Sequence, residues 1–462
     1  MIKLLSLSLP VFLSPYIRAL MASKRTLLLC LLLLSLCLSV STISSRGVRL
    51  VLTHVDTRAD LTGVERVRRA ADRSHRRVNG LLAAVAPSTA KTLRSDSGTS
   101  ATAAVHASTA TYLVDLAIGT PPLPLTAVLD TGSDLIWTQC DAPCRRCFPQ
   151  PTPLYAPARS GTYANVSCGS KLCEALPRSS RCSAQEPRCG YDYSYGDGSS
   201  TDGVLATEVF TLGSGTTVHA LAFGCGTDNL GGTDNSSGLV GMGRGPLSLV
   251  SQLGVTKFSY CFTPFNDTTT ASPLFLGSLA SLSSMAMSTP FVPNPTGARR
   301  SSYYYLSLEG ITVDDTLLPI DPTVFQLTAS GRGGLIIDSG TTFTALEERA
   351  FVVLARAVAS RVALPLASGG HLGLSLCFAA PEGRGPEAVH VPRLVFHFDG
   401  ADMELPRGSI VVEDRRAGVA CLGMMSARGM SVLGSMQQQH MHVLYDLERS
   451  VLSFEPANCG EL

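Results

Sequence analysis

Several reaction classes leave no trace in this 462-residue chain. No H-E-x-x-H is present to hold a catalytic zinc, and no G-x-S-x-G elbow to present a serine. His440 and His442 have no evident nucleophile partner. Tryptophan occurs once, at Trp137, and charged residues are only 16% of the chain against 45% hydrophobic, which excludes a disordered polymer and leaves material for a large core. The run TLLLCLLLLSLCLSV is about fifteen residues, short of the roughly twenty a membrane span needs. No apolar tail follows PANCGEL, so a lipid anchor is not expected.

Glycine (42) and proline (27) are plentiful instead, and they punctuate many short strands. TYLVDLAIGTPP, VLATEVFTL, TVHALAF, YYYLSLEGITV, LVFHF, SIVVE and VLYDLERSVLSF read as largely antiparallel strands. The clearest helix pattern in the body is LEERAFVVLARAVASRV, with Leu346, Ala350, Leu354 and Val358 at i+4 and Thr344 as a candidate cap. The fold class expected is mostly β, with few helices.

Charge is unevenly spread. Residues 1–45 hold four basic residues and no acid, while residues 46–105 hold eleven basic and five acidic, a balance of +6. From 106 onward the balance is −9. Lys24 and Arg25, the apolar run and STISS form the three parts of a secretory signal within 1–45, starting at Met1 or Met21. A plastid transit peptide is the competing reading, because the stretch lacks acids. Residues 46–105 read as a basic propeptide, with an amphipathic helical pattern VERVRRAADRSHRRVNGLL and a Ser/Thr/Ala-rich linker at 86–110. Such a segment would be drawn to an acidic body at neutral pH and released as its carboxylates protonate. A role in folding or export alone is the alternative.

Cys30 and Cys37 leave with the signal, and twelve cysteines remain, an even number suited to an oxidising compartment. Zinc-like spacings occur at Cys140, Cys144 and Cys147 and within Cys168, Cys173, Cys182 and Cys189, but no histidine lies among them. Disulfide-linked loops are the expectation, with a thiolate-only metal site left open. Asn165, Asn235 and Asn266 each head a glycosylation sequon.

One motif occurs twice. AVLDTGSD ends an apolar run in Asp130, and LIIDSGTT ends another in Asp338, 208 residues later. LVGMG, with Gly241, follows the first, and VLGSM, with Gly434, follows the second. The repeat implies two similar lobes. Two carboxyls brought together share one proton, so one can accept a proton from water while the other donates to a carbonyl. Gly132 and Gly340 permit close approach. Thr131 and Ser339 could bond across the lobes, and Ser133 and Thr341 could bond the outer oxygens.

With DTGS at 130–133 and DSGT at 338–341, the chain resembles pepsin-like aspartic proteases. WTQC at 137–140, FGCG at 223–226, GLVGMGRGPLSLVSQL at 238–253, KFSYC at 257–261 and a cysteine-rich insertion before YGDGS resemble the nepenthesin-like, atypical plant branch. The likeness covers about residues 110–462. It implies a bilobal fold with a central cleft, an N-terminal lobe over 106–295 and a C-terminal lobe over 296–462. It makes Asp130 and Asp338 catalytic, Tyr195 the flap tyrosine beside Gly196, and Trp137 its packing partner. Gly241 and Gly434 become supports behind the aspartates. It also implies the bridges Cys140–Cys144, Cys147–Cys225, Cys168–Cys189, Cys173–Cys182, Cys261–Cys459 and Cys377–Cys421. The three residues between Cys140 and Cys144, where the branch commonly has two, are a departure. The resemblance implies polypeptide substrates, a monomer, and neither cofactor nor metal. Nucleic acid and membrane anchoring are not expected. The compartment would be the apoplast or vacuole, with the plastid as an alternative. The rival class is a catalytically inactive pepsin-like protein that binds or inhibits another enzyme.

Overall fold

The computed structural model describes residues 47–57, 61–83, 112–176, 182, 187–195, 197–231, 235–295 and 302–462. The expected signal, the expected linker at 86–110 and Gly196 lie outside the described residues.

The first described strand comes from the basic front segment. β1 (Val48–His54) alternates buried and exposed positions, so Val48, Leu50 and Leu52 face inward. It inserts between two strands of the body. One is β2 (Tyr112–Ile118), met through Leu52↔Val114 to His54↔Tyr112; the other spans Ser272–Leu276, met through Val48↔Leu276 to Leu52↔Ser272. Helix α1 (Gly63–Ala83) follows where the amphipathic pattern predicts it. Its start is a reciprocal capping box: Thr62 N–H donates to Glu65 Oε2 (2.8 Å) and Glu65 N–H to Thr62 Oγ1 (3.3 Å).

The first lobe builds outward from β2. It pairs antiparallel with β3 (Leu123–Asp130), and β3 runs parallel to the strand Gly238–Gly241, with Asp130 opposite Gly241. The second lobe repeats this arrangement: Leu335–Ile337 lies parallel to Ser431–Leu433, next to Gly434. A shared sheet joins the halves, with Lys257–Cys261 pairing antiparallel to Met441–Asp446. The glycines are steric necessities. A Cβ at Gly241 would strike the backbone of Asp134, and one at Gly434 would lie 2.6 Å from the Thr342 carbonyl oxygen.

The helix Glu348–Val362 buries Ala350, Leu354 and Val358 as the i+4 pattern requires, but Thr344 does not cap it. Residues Thr344–Glu347 are a strand, held parallel to Met424–Ala427, so sheet pairing claims them before the helix begins. Glu347 is the cap, accepting from Arg349 N–H (2.8 Å), and Thr344 Oγ1 accepts from Gly434 N–H (2.9 Å).

Six disulfides form, and four differ from the expected pairing. Cys261–Cys459 and Cys377–Cys421 are as expected. Cys140 pairs with Cys225, because the strand Trp137–Gln139 runs parallel to Thr216–Leu230 with Thr138 opposite Cys225, leaving the two Cα atoms 5.4 Å apart. Cys144 is left to the adjacent Cys147, closing a short loop. Cys173, on the helical turn Lys171–Glu174, meets the buried Cys189 rather than Cys182, and Cys168 takes Cys182. Among the described residues no group of three or more potential ligands could hold a metal, and no helix is long and apolar enough to cross a membrane.

Gly241→Ala and Gly434→Ala are each expected to lower the melting temperature, with a cost on the order of 1–3 kcal/mol or more from overpacking. Unchanged thermal unfolding curves would show that the loops behind the aspartates can yield.

Candidate active site

Both aspartates sit where an apolar strand ends in a tight turn, and both are fully buried. In the first turn, Gly132 N–H donates to Asp130 Oδ1 (3.0 Å) and Ser133 Oγ to Oδ2 (2.5 Å). In the second, Gly340 N–H donates to Asp338 Oδ1 (2.9 Å) and Thr341 Oγ1 to Oδ2 (2.7 Å). The turns lock to each other. Thr131 N–H donates to Ser339 Oγ (3.1 Å), and Ser339 N–H donates to Thr131 Oγ1 (2.9 Å). A Cβ at Gly132 would come within 2.7 Å of Asp338 Oδ1, and one at Gly340 within 2.5 Å of Asp130 Oδ1, so only glycine lets the two turns approach this closely.

A third charge lies between the carboxylates. Arg77 of α1 donates from Nη2 to Asp130 Oδ1 (2.7 Å) and from Nε to Asp338 Oδ2 (3.2 Å). Its side chain is only 2% exposed. Burial alone would lower the Arg77 guanidinium, but the charges of Asp130 and Asp338 outweigh it and hold the group above its ordinary value. Burial raises the Asp130 carboxyl; Arg77 pulls it down, Asp338 pushes it up, and the donors from Ser133 and Gly132 pull it down again. The net direction is up, so Asp130 takes a proton at higher pH than an ordinary carboxyl. One turn before Arg77, Ser74 Oγ accepts from the backbone N–H groups of Thr342 (3.2 Å) and Phe343 (3.0 Å). Val67, Ala70, Ala71, Val78 and Leu81 bury the rest of the α1 stripe against Tyr303, Phe343 and Leu374.

Tyr195 stands at the end of a hairpin. The strands Gly190–Ser194 and Ser200–Leu212 pair antiparallel, and Tyr195 and Asp197 stand in the turn, where Asp197 Oδ1 accepts from Ser199 N–H (2.9 Å). Tyr195 is nearly buried, and its ring centroid is 6.5 Å from that of Trp137. Of the sequons, Asn165 and Asn266 are exposed, whereas Asn235 donates to the carbonyl of Val55, just beyond β1 (3.1 Å), and is followed by buried Ser236 and Ser237.

Arg77 and Ser74 were not singled out by sequence reasoning. The signal lay within the helical pattern itself. Arg73, Ser74 and Arg77 share the face of Ala70, Val78 and Leu81, so cationic residues stand on the stripe that must be buried.

Two similar lobes, each delivering one aspartate on an Asp-(Ser/Thr)-Gly-(Ser/Thr) turn, define a pepsin-like aspartic endopeptidase. Family comparison matches the model described as Xylanase inhibitor N-terminal to residues 112–278, and Xylanase inhibitor C-terminal to 303–456. Aspartic proteinase nepenthesin-1 of Nepenthes gracilis is 44% identical over 90% of this chain and 91% of its own length. Nepenthesin-2 of the same plant is 42% identical over 90% of each. Aspartyl protease 37 of Oryza sativa subsp. japonica is 37% identical over 94% of this chain and 98% of its own. The crystal structure of edgp superposes with a TM-score of 0.62 at 19% identity, over 76% of this chain and 92% of that one, a likeness of fold alone. The chain belongs to the nepenthesin-like plant aspartic proteases.

Thr131→Val removes the acceptor for Ser339 N–H and strands a buried donor, at a cost of about 1–3 kcal/mol. Lower thermal stability together with a fall in kcat is the expected outcome; a variant with full kcat would show that the cross-lobe bonds do not align the aspartates.

Proposed function

We propose that this chain is the precursor of an acid-acting endopeptidase, held inactive by its own front segment until the pH falls. The observation that carries the reading is the convergence of Asp130 and Asp338 on one buried guanidinium. Arg77 occupies the space between the carboxylates where an attacking water must stand. With α1 displaced, the pair loses its counter-charge and holds one proton in acid. The ionised member then takes a proton from water as the water oxygen bonds to the peptide carbon, and the protonated member gives its proton to the carbonyl oxygen. The now-protonated member then gives its proton to the amide nitrogen while the other takes one from a hydroxyl of the tetrahedral diol, so the C–N bond breaks, acid and amine form, and the dyad again holds one proton.

The pH sign follows from Asp130. Its bond to Arg77 is an ion pair only while the carboxylate is charged. Arg77 holds the Asp130 carboxyl lower than it would stand beside Asp338 alone, so the released dyad binds more protons than the clamped one and the clamp weakens as pH falls. Tyr195 is the proposed flap contact to substrate, with Trp137 packing behind it. Export to the apoplast or vacuole, with the plastid as alternative, fits the six disulfides and the leader. The matched family models bear an inhibitor's name, which favours testing an inactive binder as the second reading.

Asp130→Asn and Asp338→Asn should each abolish peptide cleavage at pH 4, and a statine-type inhibitor should block the parent enzyme. Turnover retained in a purified variant overturns the assignment, and an inert parent supports the binder. Arg77→Ala leaves two buried carboxylates uncompensated, at about 3–5 kcal/mol, so the front segment should be released, read as N-terminal shortening over a series from pH 7 to 3, at higher pH than in the parent. A variant that shortens over the same pH range as the parent would count against the clamp.

A further inference from the structure

We propose that His54, at the C-terminal end of β1, is a second acid trigger, separate from the Arg77 clamp, that unseats the front segment when its ring takes a proton. This rests on the precursor reading above and names a residue through which that precursor senses acid.

His54 is 3% exposed and lies at the seam between front segment and body. Its ring meets Tyr112, the first residue of β2, edge-on at 5.9 Å, and Phe265 at 5.3 Å. Tyr112 is in turn stacked on Phe262 at 4.0 Å, so the far wall of the pocket belongs to the body. Nδ1 accepts from the backbone N–H of Asp56 (3.1 Å), which puts the single ring proton of neutral His54 on Nε2. Nε2 is buried and has no hydrogen-bond partner among the described residues. The pocket therefore fits a neutral ring. A second proton must go to Nδ1, where it displaces the Asp56 N–H bond and places a full charge between two aromatic walls.

The charged surroundings oppose that proton. From α1, Arg66 and Arg73 act on the ring; from β2 the facing group is the neutral phenol of Tyr112, and Asp267 of the Phe265 loop bears on that phenol rather than on the imidazole. Among the described residues, Asp56, 3.9 Å from Nδ1, is placed to favour the cation. Burial first, and the two arginines after it, hold His54 down at about 3 instead of 6.5. A base held low in the seated state contributes its full stability above 6.5 and loses it as pH falls toward 3. Each pH unit below 6.5 thus shifts the balance about tenfold toward release, on the order of a hundredfold by about pH 4.5.

The position matches this role. His54 closes the register of β1 with β2 through His54↔Tyr112, and its carbonyl accepts from Thr57 N–H (3.0 Å) in the turn toward α1. Loosening that corner frees the strand and the helix that carries Arg77 together.

The test is hydrogen exchange of the Val48–His54 amides in the full-length Asp338→Asn chain, which cannot process itself, with His54 intact or replaced by Asn, from pH 7 to 4. Asn retains an acceptor for Asp56 N–H but does not titrate. After correction for intrinsic exchange, opening should rise about a hundredfold more between pH 6.5 and 4.5 in the chain with His54. Coincident curves overturn the proposal. If His54→Asn is already open at pH 7, His54→Phe, which keeps the ring packing, is judged by the same criterion. If that is open too, an NMR titration of the His54 ring in the parent chain decides, and a midpoint near 6 overturns the proposal. Failure of the precursor reading shows elsewhere, as a parent chain that gains no activity at pH 4 when its front segment is removed.

Discussion

Two carboxylates that cannot comfortably both be charged set the terms for this molecule. Buried ions need partners, and Asp130 and Asp338 obtain them in layers. Backbone N–H and hydroxyl donors from their own turns satisfy the outer oxygens, the cross-lobe bonds of Thr131 and Ser339 fix their separation, and Arg77 supplies the counter-charge. The rest of the architecture serves that arrangement. Parallel strands behind each aspartate end in Gly241 and Gly434, because a side chain at either would push the turn forward. The shared sheet of Lys257–Cys261 and Met441–Asp446 holds the lobes in register.

The front segment is folded as part of the body. β1 buries Val48, Leu50 and Leu52 between two body strands, and α1 buries an apolar stripe over the second lobe. Arg77 could not be held at the aspartates by its charges alone, since desolvating a guanidinium offsets much of the Coulomb gain. Apolar burial positions it, and the carboxylates then keep it charged. A diffuse attraction between a +6 segment and a −9 body accounts for approach but not for which of the arginines is chosen. Helical phase narrows the choice to Arg73 and Arg77, which share a face with Val78 and Leu81 while Arg68 points to solvent, and of the two Arg77 is the one that meets Asp130 and Asp338.

The difference between what could be read from the chain and what could not follows the range of the interactions. The paired motifs were legible because each turn is local, and its residues solve a local problem of hydrogen bonding around a carboxylate. The helical pattern at 64–82 and the strand alternation were legible for the same reason. Thr344 was misread as a cap because its fate is set by the parallel strand Met424–Ala427, which is distant in sequence. The disulfides show the limit most clearly. Cys140 sits four residues from Cys144, yet the register of Thr138 with Cys225 decides its partner. Spacing carries no such information; sheet register does.

The same reasoning accounts for where acid sensitivity resides. A protease built on a shared proton gains its working state in acid, so an inhibitory contact made directly to the dyad weakens over the range in which activity appears. Such a contact reports only on the carboxylates it touches. The seam at His54 titrates through a different group, on the opposite side of the protonation argument: there the neutral form fits and the charged form does not. One site weakens by losing a charge and the other by gaining one, and both changes run in the same direction with pH. Because strand and helix belong to one short stretch of chain, loosening either lowers the cost of loosening the other. Release should therefore be steeper in pH than either contact alone would make it.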